Sequence, residues 1–518
     1  MKTHTKLVIP FLVGIIVYLT GLGTINFSTT AVVDGVPQLT HNIWVYLSIF
    51  VGVIVGLILE PVPPALVGVI GVIIAVFFRV GSDGSGDPTK AVTSGEAMNW
   101  GLSGFSDSTV WLIFAAFAIG LGYQKSGLGR RIGLGLVKLL GKSTLGLGYA
   151  IALTDGILAP FIPSNTARSG GVVYPIISSI PPMFESYPDK NPRKIGGYVM
   201  WVALATTCVT SSMFLTGLAP NLLAISTAAK TGVSGITWAN WFVAFLPAGI
   251  ILFLLTPLLA YLIYPPEVKG SPQVIKWAKE EYNKIGVISK KEQYMVAISV
   301  FALIFWILSS VSGVKGTLLE MSGTTTALFV IVFMLAAKVI TWHDFLANKP
   351  AWNVLVWFGT LVALATGLKN VGFLKWLAGV FGVYLADVSP MMAILGLCLA
   401  FYLLHYFFAS TTAHVSALLA LFIVIAQSIA TAAANNGTAI DPHFVYIVTF
   451  LMMLSLGIMG IITPYGTGPS PVYFGTGYIK SGDFWKLGTI FGLVYLIVFL
   501  IVEIPWVTKI AYSWIIPK

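Results

Sequence analysis

Apolar runs of about twenty residues, separated by short polar segments, recur along the whole chain. A helix of that length matches the hydrocarbon thickness of a bilayer. Of the 518 residues, 57% are hydrophobic and only 9% are charged, whereas soluble domains carry about 25% charged residues. We therefore predict an all-α integral membrane protein. The uninterrupted runs lie near residues 7–25, 42–60, 62–80, 107–124, 241–264, 294–311, 324–342, 352–369 and 488–511.

Four further apolar runs are interrupted by proline, glycine and polar residues. They cover residues 147–180, 197–229, 390–432 and 443–479, and the first contains the polar stretch 163–171. A helix broken at membrane depth leaves backbone N–H and C=O groups unpaired, which is tolerated only where they line a cavity or bind something. The interruptions are therefore candidate binding segments.

The interruptions recur at a nearly constant spacing. Ser410-Thr411-Thr412-Ala413-His414 follows Ser164-Asn165-Thr166-Ala167-Arg168 by 246 residues, and Gly466 follows Gly217 by 249 residues in the next interrupted run. Matches at one offset indicate an internal repeat. Discontinuous helices at corresponding places in two halves of a chain are typical of a transporter's binding site.

The distribution of charge orients the chain. If each interrupted hairpin returns to the side from which it entered, most of the 29 Lys and Arg residues fall on one side of the membrane. Cytoplasmic loops carry such an excess, so we expect a cytoplasmic N-terminus. Because no small-residue cleavage site follows the run 7–25, we expect a retained helix rather than a signal peptide. The lack of a transit peptide favours a bacterial inner (plasma) membrane.

This topology has about 11 transmembrane helices and two re-entrant hairpins, arranged as two inverted repeats after a leading helix. The predicted units are a leading helix with its outer loop (1–41), a first repeat (42–264, hairpin tip 163–171), a cytoplasmic amphipathic connector (265–292) and a second repeat (293–518, hairpin tip 409–414).

The two tips offer hydroxyls, an amide and free backbone N–H groups at the starts of half-helices, which are the donors that a carboxylate requires. An axis in the membrane plane that relates the halves would bring the tips together near mid-membrane, where they suit a ligand with an acid group at each end. The candidate substrate-binding residues are Ser164, Asn165, Thr166, Arg168, Gly217, Ser410, Thr411, Thr412, His414, Gly466, Thr467 and Pro469.

The ionisable residues in apolar runs have more than one interpretation. A guanidinium in a membrane segment costs about 2.5–3.5 kcal/mol on insertion scales, so Arg168 either binds an anion, pairs with Asp155 or reaches a headgroup. His414 occupies the equivalent place in the second half and is either a ligand or a hydrogen-bonded structural group. We interpret Asp155, His405 and Glu503 as structural partners or packing residues, with a proton relay as the alternative for Asp155.

Other functional classes lack support in the sequence. There is no phosphate-binding loop, no HExxH, no nucleophile motif and no basic–aromatic pattern of a nucleic-acid site. The two cysteines, Cys208 and Cys398, do not form a CxxC pair. We expect no enzyme activity, metal, cofactor or nucleic-acid partner.

The two tips resemble those of the divalent anion/sodium symporter family, which carries Ser-Asn-Thr at each of two hairpin tips. Ser164-Asn165-Thr166 matches fully, whereas Ser410-Thr411-Thr412 has Thr in place of Asn. The longer strings look most like the exchanger branch of 2-oxoglutarate/malate and citrate/succinate antiporters. The resemblance implies substrate contacts at Asn165, Thr166, Thr411 and Thr412 beside the breaks at Gly217 and Gly466, elevator-type alternating access and a homodimer.

Arg168 suggests a physical reason for exchange. If the guanidinium of Arg168 has no partner in the protein, its charge can cross the apolar barrier only when a bound dicarboxylate compensates it. Only the loaded carrier would then move, which makes antiport obligate. The substrate would be a di- or tricarboxylate such as 2-oxoglutarate, malate, succinate, fumarate or citrate. The alternatives are a Na⁺- or H⁺-coupled dicarboxylate symporter, an anion channel and, with least support, a membrane-embedded enzyme.

Overall fold

The computed structural model describes residues 3–33, 36–309, 311–314, 316–317, 319–384 and 388–516. Residues 1–2 and 517–518, the outer ends of the predicted leading unit and second repeat, lie outside the described residues. Apart from one two-stranded antiparallel ribbon, regular structure in the described chain is helical, which confirms the predicted all-α class.

The helices follow the predicted order of units. The leading unit contains α1 (Thr3–Thr24) and the ribbon β1 (Val32–Val33) and β2 (Val36–Pro37). The first half contains α2 (His41–Leu59), α3 (Pro64–Phe77), α4 (Ser94–Leu102), α5 (Ser108–Ser126), α6 (Leu128–Leu140), α7 (Thr144–Leu158), α8 (Tyr174–Ile177), α9 (Gly196–Met213), α10 (Ala219–Lys230) and α11 (Trp238–Ile263).

The connector forms α12 (Pro272–Ile285). The second half contains α13 (Lys290–Leu308), α14 (Gly323–Ala336), α15 (Trp342–Leu346), α16 (Lys349–Asn370), α17 (Phe373–Tyr384), α18 (Pro390–Leu404), α19 (Thr411–His414), α20 (Ala420–Asn435), α21 (Phe444–Leu454), α22 (Ser470–Gly475), α23 (Ser481–Val498) and α24 (Tyr512–Ile515). Short 3₁₀ turns lie at Ser103–Ser106, Pro181–Phe184, Leu215–Gly217, Ser312–Val314, His405–Phe407 and Ile458–Ile461, and π-helical turns at Thr166–Val173, Val415–Leu419, Phe499–Glu503 and Trp506–Ile510.

Several helix boundaries follow from local side chains. Thr40 and Ser143 accept hydrogen bonds from the backbone of the first turns of α2 and α7, and Ser289 with Glu292 forms a capping box on α13. Such caps satisfy N–H groups that have no partner within the helix. Gly127, with φ of 80°, ends α5 and lets α6 leave in a new direction.

Many of the helices are apolar enough to cross a membrane. In the described chain, eight helices meet the length and hydropathy required, or nine if the bent pair Ser94–Ser106 and Ser108–Ser126 forms one span. Four shorter apolar helices accompany them: Val8–Thr24, Pro64–Phe77, Thr144–Leu158 and Gly323–Ala336. The count of about 11 spans and the re-entrant course of the hairpins stay predictions.

The order of elements repeats between the halves. α2, α3, α4–α5, α6 and α7 have counterparts in α13, α14, α15–α16, α17 and α18. In each half a non-helical tip and a π-helical turn follow, and then comes a broken helix: α9 and α10 in the first half, α21 and α22 in the second. The same order of elements in both halves is consistent with an internal repeat, and the repeat units and their inverted orientation stay predictions.

The sequence analysis missed two helices. α6 and α17 lie where only connections were expected, after α5 and α16. α6 buries Arg131, Leu134 and Val137, while Arg130 and Lys138 stay exposed. An amphipathic helix of this kind is too short and too polar to register as an apolar run.

The helices pack in two groups that follow the repeat. In a peripheral group, α3 contacts α2 and α16, and α5 contacts α14 and α16. In a central group, α9 contacts α7, α11 and the 3₁₀ turn Ile458–Ile461, while α21 contacts α18 and α20. α10 lies between the groups, because it contacts α5 and α16 as well as α19 and α21. The tips and breaks therefore lie within the central group.

Candidate functional site

The first tip contacts the break in the second half. Asn165 is buried and its Nδ2 donates a hydrogen bond to Oγ1 of Thr467 at 2.7 Å. Next to it Thr166 lies against Gly468 so closely that a Cβ on that glycine would overlap Thr166 Oγ1. Ser164 shapes the tip itself, since its Oγ accepts a hydrogen bond from Ala167 N at 3.1 Å. Side chains of the first tip are therefore in direct contact with residues 467 and 468 of the break.

The second tip meets the same break. Thr411 Oγ1 donates to the carbonyl oxygen of Gly466 at 3.4 Å, and His405 Nε2 donates to the same oxygen at 2.7 Å. Thr411 and Thr412 are buried, and Ser410 is half-buried. The short helix α19, which contains both threonines, also packs against α10, the helix after the first break. The structure thus brings the tips of both halves onto the segment 466–468.

Arg168 has a full set of protein partners. Its Nε donates to Asp155 Oδ2 at 3.1 Å, and Nη1 donates to the carbonyl oxygens of Ile162 and Gly217 at 2.8 and 2.7 Å. Its Nη2 lies 3.2 Å from each of three hydroxyls of α9, those of Thr207, Thr210 and Ser211. Arg168 is 0% exposed and its counter-ion Asp155 is 1% exposed.

This geometry decides between the interpretations of Arg168. The guanidinium forms an ion pair with Asp155, which was one of the three predicted alternatives. All three of its nitrogens donate hydrogen bonds to groups of the protein. The hypothesis that an uncompensated Arg168 charge enforces exchange is wrong, because the carboxylate of Asp155 already compensates that charge. Arg168 holds the first tip to the first break and does not reach into the site with a free donor.

A buried basic side chain holds the glycine carbonyl of each break. Arg168 binds the carbonyl of Gly217 in the first half, and His405 binds that of Gly466 in the second. His414, the sequence equivalent of Arg168, instead packs edge-on against His405, Phe401 and Phe408 with ring centroids 4.4–5.1 Å apart. In the described chain neither ring nitrogen of His414 has a hydrogen-bond partner.

The two broken helices cross at close range. Ser212 Oγ, at the end of α9, accepts hydrogen bonds from the backbone N–H groups of Gly457 and Ile458 at 3.0 and 3.1 Å. Ser169, just after the first tip, lies 2.7 Å from the hydroxyl of Tyr473 in α22. These contacts fix the relative position of the two halves around the tips.

Polar atoms without protein partners remain beside the breaks. Among the described residues, Asn221 Oδ1, Thr463 Oγ1 and Ser470 Oγ are buried and accept or donate no hydrogen bond. Asn221 and Ser470 are equivalent positions, 249 residues apart, each one residue after the proline of its break, Pro220 or Pro469. A buried polar atom without a partner is unfavourable, so both breaks present atoms that can bind a ligand.

The sequence offered a signal for some of these residues that went unused. Thr207, Thr210, Ser211 and Ser212 form a hydroxyl-rich face on the otherwise apolar helix α9. Hydroxyls in such a helix face protein rather than lipid when they have a polar partner. That partner is Arg168 for Thr207, Thr210 and Ser211, whereas Ser212 accepts hydrogen bonds from the second half. Asp155 and His405 have the structural partners expected for them. Glu503 does not: it is buried, and in the described chain neither of its carboxylate oxygens has a hydrogen-bond partner.

Helices that break at equivalent points in two structural halves, with polar tips gathered at the breaks, define a secondary transporter of the membrane. The chain belongs to the sodium:sulfate symporter family, because the family described as "Sodium:sulfate symporter transmembrane region" matches residues 23–513. This confirms the resemblance to the divalent anion/sodium symporter family.

Relatives of known activity cover most of the chain. It is 42% identical over 474 residues to the L-tartrate/succinate antiporter of Escherichia coli (strain K12), covering 90% of this chain and 93% of that protein. The L-tartrate/succinate antiporter of Shigella flexneri matches with the same identity and coverage. These relatives are transporters and not enzymes, as expected for this chain.

Two solved structures share the fold. The Alcanivorax borkumensis YdaH transporter, whose topology is described as unusual, superposes with a TM-score of 0.56 at 12% identity, covering 88% of this chain and 99% of that one. Neisseria gonorrhoeae MtrF, described as illuminating a class of antimetabolite efflux pumps, superposes with a TM-score of 0.53 at 13% identity, covering 88% and 96%. At these identities the likeness concerns architecture alone.

Proposed function

We propose that this protein exchanges dicarboxylates, of the size and charge of succinate and L-tartrate, across the bacterial inner membrane. The observation that carries the proposal is the meeting of both tips at 466–468, through the Asn165–Thr467 and Thr411–Gly466 hydrogen bonds. Two donor clusters on either side of one break suit a small ligand with an acid group at each end. The names of the relatives, at 42% identity over 90% of the chain, support this ligand class.

Obligate antiport is part of the proposal and rests on the relatives, since the argument from Arg168 does not hold.

The twelve candidate residues have different roles in the proposed exchange. Asn165, Thr166, Thr411 and Thr412 would contact substrate through side chains, with Ser164, Ser410 and Thr467 shaping the tips and break. Gly217, Gly466 and Pro469 would supply the breaks, and Arg168 and His414 would support them.

Elevator-type movement is the proposed means of alternating access. The peripheral and central groups meet at α10 and where α5 contacts the π-helical turn Thr166–Val173. Movement of the central group against the peripheral one would carry the tips and breaks as a unit. We propose a homodimer as its functional form.

Cation coupling is the second candidate function, because the family's description names sodium symport. A Na⁺- or H⁺-driven carrier accumulates substrate in vesicles that contain none. An exchanger takes up labelled substrate only when the vesicles are preloaded.

Counterflow in proteoliposomes tests the proposal. Labelled succinate should enter liposomes preloaded with succinate or L-tartrate, and should not enter empty liposomes with or without an inward Na⁺ gradient. Uptake into empty liposomes under the Na⁺ gradient would select the symporter, and currents through single open pores would select a channel.

Variants at the tip contact localise the site. Asn165→Leu and Thr467→Val each remove one side of the 2.7 Å hydrogen bond, and we expect exchange to fall by up to about tenfold, the effect of one buried hydrogen bond. Thr489→Val, at an exposed hydroxyl that bonds only within its own helix, is the matched control. If all three variants exchange substrate at the same rate, the first tip is not part of the substrate site.

A further inference from the structure

A cavity of about 470 Å³ lies beside the first hairpin, away from the contacts of the two tips. Its walls come from the end of α5, from α6, from the segment after the first tip and from the connector helix α12. Its volume is in the range of roughly 300–1,000 Å³ that is usual for sites of small molecules. Gly171, the last residue of the tip, and Val172, directly after it, form part of its wall.

The cavity carries charge and polar groups where it meets the connector. Arg130 of α6 and Glu281 of α12 line it and form an ion pair, with Arg130 Nη2 2.8 Å from Glu281 Oε2. The other carboxylate oxygen of Glu281 is 2.6 Å from Lys284 Nζ. Gln124 and Ser179 add an amide and a hydroxyl to the lining.

The arrangement leaves Arg130 available to a ligand. Its side chain is 61% exposed, and within the described ranges Glu281 is the only group to which it donates a hydrogen bond. A guanidinium can hold a carboxylate through two parallel N–H donors. An incoming carboxylate that displaced Glu281 would leave that residue still paired with Lys284, so no charge would be left without a partner.

We infer that this cavity is an access site for the transported dicarboxylate on the connector face, in which Arg130 binds one carboxylate and Glu281 competes for the same guanidinium. This inference rests on the proposed function, because the ligand is the substrate itself. Gly171 of the tip and Gln124 are neighbours in the cavity wall: a Cβ on Gly171 would lie 3.6 Å from Gln124 Nε2. A ligand held here is therefore next to the hairpin that it must pass.

Site-specific labelling tests the inference. Both native cysteines, Cys208 and Cys398, are buried, so a cysteine introduced at exposed Ser179 gives one reactive thiol in the full-length protein. We expect a membrane-impermeant maleimide to label Ser179→Cys from the connector face, and succinate to slow the labelling. Lactate, with one carboxylate, should slow it less.

Two charge variants in the Ser179→Cys background have opposite expected effects. Arg130→Gln should raise the succinate concentration for half-protection about tenfold, the scale of one charge-assisted hydrogen bond. Glu281→Gln should lower that concentration, because the competitor is gone. Arg193→Gln, at a basic residue stacked on Tyr264 away from the cavity, is the control and should leave it unchanged.

The outcomes separate the inference from the proposed function. If counterflow is intact but labelling at Ser179→Cys does not respond to succinate, the inference is wrong and the function stands. Shifts of the same sign in Arg130→Gln and Glu281→Gln would also overturn it. If the wild-type protein shows no counterflow with any dicarboxylate, the proposed function fails, whatever the labelling shows. If Arg130→Gln does not fold, Glu281→Gln decides alone: the inference requires a lower succinate concentration for half-protection in that variant, and an unchanged or higher one overturns it.

Discussion

Arg168 and Asp155 form an ion pair almost without contact with solvent, 0% and 1% exposed. Buried charges of opposite sign are tolerable when they meet each other and when hydrogen bonds use their remaining atoms. Arg168 satisfies both conditions, because two carbonyls and three hydroxyls surround it. The pair is thus a neutral structural unit that joins α7, the first tip and α9.

Removing one partner of this pair should cost more than removing both. We expect Asp155→Asn or Arg168→Gln alone to lower the free energy of unfolding by about 3–5 kcal/mol, because an uncompensated buried charge is left behind. The double variant should be more stable than either single variant. Thermal unfolding in detergent measures this, and counterflow by the refolded double variant separates structure from transport. A double variant as unstable as the sum of the two would contradict the pairing.

The pair also shows where single-residue prediction ends. A basic residue in an apolar run is visible in the sequence, and so is Asp155 thirteen positions before it. Whether the two meet depends on the turn at Pro160 and Pro163, which folds the chain back on itself. The sequence therefore left both a ligand and a partner open for Arg168, and only the distances distinguish them.

At the scale of helices, the contact between the two halves depends on glycines at crossing points. A Cβ on Gly457 would overlap the backbone N of Ser212 and would lie 2.6 Å from the carbonyl oxygen of Cys208. Backbone atoms cannot move aside as a flexible side chain can. Gly468 is similarly tight against Thr166.

We expect Gly457→Ala to destabilise the protein by about 1–3 kcal/mol through overpacking and to reduce exchange. Gly396→Ala is the control: Gly396 lies in α18, and a methyl group added there would have no described atom within 4 Å beyond its chain neighbours and its own helix backbone. Alanine there should stabilise the helix by about 0.5–1 kcal/mol. Unfolding temperatures of the two variants should thus move in opposite directions, and a Gly457→Ala protein as stable as wild type would refute the close crossing.

A surface ion pair gives the link between α5 and α15 a defined pH dependence. Lys125 Nζ lies 2.7 Å from Asp344 Oδ1, and this contact, with hydrogen bonds from Thr341, lowers the pKa of Asp344 below its usual value. A carboxyl with a lowered folded-state pKa stabilises the protein above its unfolded pKa of about 3.9, and that stabilisation is lost as pH falls towards the folded value.

The stability difference between wild type and Asp344→Asn should therefore be constant from about pH 8 to 5 and shrink below about pH 4. Unfolding temperatures across this pH range measure it. Lys125→Gln removes the same contact from its other side and should show the same profile. A difference that changes between about pH 5 and 8 would mean that another group controls this link.

The elements were predictable where hydrophobicity decides them. Apolar runs and their interruptions correspond to α7–α10 and α18–α22, because proline, glycine and polar residues stop a membrane helix for local reasons. α6 and α17 were not predictable in this way. α6 is amphipathic, and its helical form depends on packing against α7 and α12, neighbours that the sequence does not identify. α17 is apolar but has only 12 residues, too few for a membrane span.

At the scale of the whole molecule, neither half contains a complete site. Asn165 of the first tip bonds to Thr467 of the second half, and α10 of the first half packs against α19 of the second. The spacing of the motifs indicated that two tips exist and that they are equivalent. It did not indicate that both would contact the break at 466–468, because that depends on how the halves are placed against each other.

The orientation of the chain decides which side of the membrane the connector faces, and labelling from each side tests it. Gly95→Cys at the start of α4 and Lys279→Cys on α12 are suitable variants, because both positions are exposed and the native cysteines are buried. An excess of Lys and Arg marks the cytoplasmic side. We expect a membrane-impermeant maleimide to label Gly95→Cys in right-side-out vesicles and Lys279→Cys only in inside-out vesicles.

The same pair of positions tests the re-entrant course of the first hairpin. If the hairpin at 163–171 returns to its own side, residues 95 and 279 lie on opposite sides of the membrane. If the run 147–180 instead crosses the membrane, every later segment is inverted and both cysteines react from the same side. Labelling of both cysteines from the same side would therefore contradict the inverted repeat. If Gly95→Cys instead reacts only from the cytoplasmic side and Lys279→Cys only from the outside, the predicted orientation is reversed but the repeat is retained.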